Sequence, residues 1–155
     1  MGFFAEAMAD AATQSAKTPW HVWLVGVVSL LWNSVGAMDF VMTETRNKAY
    51  MSAFTPAQLE FYYGYPFWVV AAWGIAVWGG VLGSLLLLFR RRLAVHLFLA
   101  SLACMVLTDL YNFALCNGLK IMGGMGTLIF SAVIFVIGAL LVFYARSMCK
   151  RSVLR

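Results

Sequence analysis

Along the chain, long apolar runs alternate with short breaks rich in charge, glycine or proline. The runs extend from about Val22 to Met42, Phe67 to Phe89, Leu93 to Cys116 and Met125 to Ala145. A hydrocarbon core about 30 Å thick takes about 20 helical residues to cross, and each run is of that order. None shows the period-two alternation of a membrane barrel strand. Lipid offers backbone amides no partner, so each span must satisfy its own. The pattern predicts an all-α protein, a four-transmembrane-helix bundle. The expected division is a tail over residues 1–18, a membrane domain over 19–146 and a basic tail over 147–155.

The longest break, roughly Thr43 to Tyr65, carries a helix start of its own. Thr55 can cap, Pro56 suits the first helical position and Gln58 completes a capping box. Phe54 and Leu59 stand where a hydrophobic staple would pack. A short amphipathic helix over about Pro56–Tyr63 is expected, either closing the loop or covering a cavity. Gly123-Gly124-Met125-Gly126 predicts a tight turn before the fourth span.

Composition agrees with a membrane solvent. Hydrophobic residues make up 63% of the 155 and charged residues 11%; soluble domains average about 45–50% and about 25%. The net charge of +5 reads as a topology signal, since the basic residues gather at helix ends; it does not indicate nucleic acid. Lys17, Arg90, Arg91, Arg92, Arg146, Lys150, Arg151 and Arg155 fall on one side of the four spans, and Arg46, Lys48 and Lys120 on the other. The positive-inside rule then puts both termini in the cytoplasm. Glu6 and Asp10 argue against a secretory signal at the start.

The second span carries small residues at Ala76, Gly79, Gly80 and Gly83. Such spacing lets helix backbones approach closely in lipid. It predicts packing inside the bundle, or against a second copy or a partner subunit.

Polar residues inside spans are costly and mark candidate sites. Asp39 and Asp109 both fall in the half away from the basic side. Asn33 lies deeper on the first span; Thr108, Tyr111 and Asn112 flank Asp109, and Arg46 stands just outside. These seven residues are the expected ligand-binding set, in a polar pocket between the first and third spans. The competing reading is that they tie helices together, and a third is a proton relay. His21 and His96 share a depth without a carboxylate between them, and Cys104, Cys116 and Cys149 form no metal-binding spacing. HExxH, GxSxG and P-loop patterns do not occur. No catalytic residue, metal or cofactor is assigned.

The stretch Leu31-Trp32-Asn33-Ser34-Val35-Gly36-Ala37-Met38-Asp39-Phe40, with Met42-Thr43-Glu44-Thr45-Arg46 and Tyr63-Gly64-Tyr65-Pro66-Phe67-Trp68, resembles a group of small four-span proteobacterial inner-membrane proteins. Some of these are labelled sugar transporters, which implies a sugar-like solute. The order of span, long outer loop, span, basic turn, span and span is similar, in layout alone, to DoxX-like membrane proteins associated with redox complexes. Two functions are therefore expected: binding or transport of a small polar solute, or service as an accessory or assembly subunit of a larger membrane complex.

Overall fold

The computed structural model describes residues 18–116 and 118–155. All regular elements among them are helical. They are α1 (His21–Glu44), α2 (Lys48–Met51), α3 (Pro56–Tyr63), α4 (Phe67–Leu88), α5 (Leu93–Asp109) with a π-helical continuation (Leu110–Leu115), α6 (Gly118–Ile121) and α7 (Met125–Lys150). Four of them are long and apolar enough to cross a membrane: α1, α4, α5 with its continuation, and α7. The chain is a small integral membrane protein with an all-α bundle. The expected tail over residues 1–18 lies almost wholly outside the described residues.

The main helix contacts run α1–α4–α5–α7. Of the apolar stretch of α4, 39% is buried, against 11–17% in the other spans. The small residues of α4 are the reason it sits in the middle. Ala76, Gly79, Gly80 and Gly83 are all buried. A Cβ on Gly80 would stand 2.8 Å from Asn33 Cγ on α1, and one on Gly83 would stand 2.8 Å from the Phe98 ring on α5. Ser101 on α5 donates to the carbonyl of Ala76 at 2.5 Å. These four residues pack inside the protomer, the first of the two expected arrangements, and are not left free for a second copy or a partner subunit.

α4 therefore stands between α1 and α5. The polar pocket expected between the first and third spans does not form as a direct cleft, because a helix occupies the place.

At the end carrying Arg90–Arg92, the basic end, Val22, Leu87, Ala94, Phe98, Leu141, Val142, Ala145, Met148, Val153 and Leu154 form one buried cluster. His21 Nδ1 and Tyr144 Oη share a hydrogen bond of 2.6 Å that joins α1 to α7. The segment expected as a basic tail first continues α7 through Lys150. It then returns to the turn between α4 and α5, with Arg155 N donating to Arg90 O (2.7 Å) and Arg92 N to Arg155 O (3.0 Å).

Three helices close in the same way. After α1, α4 and α7 a residue of positive φ follows the cap: Arg46 (52°), Arg90 (56°) and Ser152 (56°). The next amide reaches back five residues, as in Asn47 N→Met42 O (3.0 Å), Arg91 N→Leu86 O (2.8 Å) and Val153 N→Met148 O (3.0 Å). This is the Schellman arrangement, in which the left-handed position usually holds glycine.

At the opposite, capped end, the capping box forms as expected. Thr55 N donates to Gln58 Oε1 (2.9 Å) and Gln58 N to Thr55 Oγ1 (3.4 Å). Phe54 packs its ring on Tyr50 and Tyr62, at 5.7 Å each. Gly123 and Gly124 turn the chain into α7 with φ of 117° and 69°.

Candidate functional site

The capped end is a mesh of aromatic rings. Trp73 of α4 is the hub: Phe40 of α1 meets it edge-on at 5.0 Å, Tyr62 of α3 stacks on it at 6.4 Å, and Tyr65 meets it at 6.3 Å. Tyr65 also contacts Tyr111, which reaches Trp68. Edge-to-face pairs of this kind contribute about 0.5–1.5 kcal/mol each beyond the area they bury. Two tyrosine hydroxyls anchor the mesh to polar groups of the spans. Tyr50 donates to Asp39 Oδ1 at 2.6 Å, and Tyr65 donates to Asn112 Oδ1 at 2.7 Å.

The electrostatics follow from that placement. The hydrogen bond to Asp39, with burial and the carboxylate's charge, pushes Tyr50 up to about 12. Burial, then the charge of Asp39, pushes Tyr62 up to about 12 as well. Burial drives Tyr65 upward too, against the lowering effect of its bond to Asn112. All three are neutral at physiological pH, and Tyr50 and Tyr65 act as hydrogen-bond donors.

The π-helical continuation of α5 explains how Asn112 comes to face Tyr65. Its turns are wider than α-helical ones, as in Cys116 N→Tyr111 O at 3.1 Å. That local geometry carries both Tyr111 and buried Asn112 toward the mesh.

The seven expected residues thus separate. Tyr111 and Asn112 meet at Tyr65, and Asp39 joins them only through the chain of rings. Arg46 does not fold back onto either acid: its guanidinium lies over the Tyr63 ring, 4.4 Å from the centroid. Thr108 is buried and donates to Cys104 O of its own helix at 3.0 Å. Asn33 faces α4, donating to Ser29 O (2.8 Å) and Ser84 Oγ (3.2 Å). His21, engaged with Tyr144, makes no pair with His96, which is exposed.

Asp109 is turned elsewhere again. It accepts from Ser131 Oγ of α7 at 3.3 Å, the single hydrogen bond it makes among the described residues. It lines a shallow groove of about 220 Å³ whose other walls are Val106, Leu110, Phe113 and Ala114. A second groove, of about 310 Å³, runs between α1 and α4 past Ser34, Met38 and Trp78. Both grooves are open and lined mainly by apolar side chains.

The residues missed from sequence are Tyr50, Tyr62, Tyr65 and Trp73. The signal was present in the density of aromatics around Tyr62-Tyr63-Gly64-Tyr65, which reads equally as an interfacial belt. No protein-family model, curated protein or solved structure matches this chain.

Proposed function

We propose that the chain serves as an accessory subunit of a larger membrane assembly, receiving a partner helix along the groove beside Asp109. The observation that carries this reading is the state of that carboxylate. It belongs to a membrane span, has one long hydrogen bond from a neutral hydroxyl, and otherwise lines an apolar, open-sided groove. A carboxylate facing lipid is costly, and such groups face protein or water. A donor from outside the protomer would complete its shell. The other polar residues point the same way, since Asn33, Asp39 and Asn112 already hold neighbours within the protomer.

The test is a photocrosslinking residue at Ala114, irradiated in native membranes, beside one at Leu24 on the exposed face of α1. The expected result is a discrete protein adduct from position 114 alone, lost in Asp109→Leu. An adduct of twice the protomer mass would make the partner a second copy. Lipid adducts alone from both positions would sink the proposal.

A second reading, binding of a sugar-like solute, is favoured by the grouping of Asp39, Asn112, tyrosine hydroxyls and the Trp73 face at the capped end. Those groups are engaged with one another, so a solute would have to displace Tyr50 from Asp39 or Tyr65 from Asn112. A thermal-shift screen of sugars tests it. A sugar that stabilises the wild type and not Asp39→Asn supports this reading; uniform silence speaks against it.

A further inference from the structure

The basic end carries a second feature, independent of the groove beside Asp109. The fold joins two stretches far apart in sequence, the turn Arg90–Arg92 and the end of α7 with its return. Backbone pairing between Arg90, Arg92 and Arg155 holds them together. Arg92 Nε also donates to Leu154 O at 3.2 Å, and Arg90 Nη1 donates to Thr18 Oγ1 at 2.6 Å. Val153 and Leu154, buried in the core, pin the returning segment from below.

This collects Arg90, Arg91, Arg92, Arg146, Lys150 and Arg151 at one end of the molecule. The four acids among the described residues, Asp39, Glu44, Glu60 and Asp109, lie toward the other. Among the described residues, no acidic side chain stands beside these basic groups. The arginines are also partly fixed. Guanidinium carries five N–H donors; Arg92 uses its Nε–H to hold the chain, which orients the rest and lowers the ordering cost of a ligand. Arg90 occupies a left-handed backbone position, with φ of 56°, that disfavours a non-glycine residue. Strain of that kind persists where surrounding contacts impose it.

The surroundings are those of a lipid site. Phe89 is 70% exposed and Leu93 56%, on either side of the arginine turn. Trp20, two residues from the Thr18 that Arg90 binds, is 73% exposed, and Trp23 is exposed as well. Tryptophans at span ends sit at headgroup level. Apolar side chains beside fixed guanidinium groups match a molecule with acyl chains and phosphate together.

We infer that the turn Arg90–Arg92, braced by the returning segment, binds the phosphate headgroup of an anionic phospholipid, such as phosphatidylglycerol or cardiolipin. Arg91 and the terminal nitrogens of Arg92 hold the phosphate, while Phe89 and Leu93 border the acyl chains.

The experiment is native mass spectrometry of the purified full chain, with equimolar phosphatidylglycerol and phosphatidylcholine competing. Selective retention of the anionic lipid by the wild type is expected. Arg91 is tied to the fold through its backbone alone among the described residues, so Arg91→Gln should fold and bind about fivefold more weakly. Arg91→Gln with Arg92→Gln should bind about 30-fold more weakly. Arg146→Gln, which removes equal charge from α7, should change binding less than twofold. Equal weakening by Arg146→Gln would mean a diffuse charge effect and overturn the site. Equal retention of both lipids by the wild type would overturn it too. Full competition by inorganic phosphate at the same phosphate concentration would make the ligand a free anion, against the proposal.

Discussion

Replacing Gly80 by alanine tests the close approach of α1 and α4. The new Cβ would stand 2.8 Å from Asn33 Cγ and closer still to Oδ1, where carbon contacts settle near 3.5–4.0 Å. The Asn33 amide can move aside only by releasing Ser29 O and Ser84 Oγ. An overpacked methyl costs about 1–3 kcal/mol. The hydrogen bond between helices adds about 0.6 kcal/mol, a typical value in membrane bundles. Better helix propensity returns about 1 kcal/mol. A net loss of about 0.6–2.6 kcal/mol is expected, measured by unfolding in mixed micelles with far-UV circular dichroism. In the double variant with Asn33→Ala the methyl has room, so the two losses should not add; contacting pairs couple by about 0.5–3 kcal/mol. Gly126→Ala, with nothing within 4 Å of its Cβ, should leave stability unchanged or raised. A harmless Gly80→Ala, or losses that simply add, would refute the packing argument.

Ser152→Gly should stabilise the protein by about 1 kcal/mol, because its φ of 56° suits glycine; no rise in melting temperature would count against strain at that helix end. The capped end should fail in alkali. Tyr50 and Tyr62 sit at about 12 when folded against the ordinary 10.0, so the folded chain holds these protons more tightly than the unfolded one. Their contribution is complete below about pH 10 and disappears as pH rises toward 12. An absorbance titration of tyrosinate should show a class ionising near 12, and finding all tyrosines titrated by pH 10 would contradict the burial described. Tyr50→Phe leaves Asp39 without its donor and should cost about 1.5–3 kcal/mol, the usual worth of a hydrogen bond to a charged group; an unchanged unfolding midpoint would show that bond to be idle.

The spans, the capping box at Thr55 and the Gly123-Gly124 turn were legible because each rests on local chemistry. The order of helices was less so. In lipid, both the buried and the exposed side of a span are apolar, so hydrophobic periodicity no longer reports which side is inside. Small residues were the remaining cue. They marked a close-packed face on α4 without saying that α1 and α5 would share it. The helix ends at Arg46, Arg90 and Ser152 lack the glycine that usually advertises them.

The candidate pocket shows where depth alone misleads. Asp39 and Asp109 were paired because both lie in the same half of the membrane, yet rotation about the helix axis decides what a side chain meets. Asn33 and Asp39 are six residues apart, about 240° around α1, and accordingly one meets α4 and the other Tyr50. On α5 the widened turns after Asp109 advance each residue by less than the roughly 100° of an ideal α-helical projection.

That widening leaves the third span with one residue more than an α-helical hydrogen-bond ladder would use. Removing a single residue between Leu110 and Leu115 would let the segment relax to a regular helix and still reach across. The cost would fall on orientation: with Tyr111 the residue removed, Asn112 would step back one position, about 100° around the axis, and lose its view of Tyr65. Span length and the aim of the capped end are therefore separable properties here, and a lineage or an engineer can alter one by a codon while keeping the other.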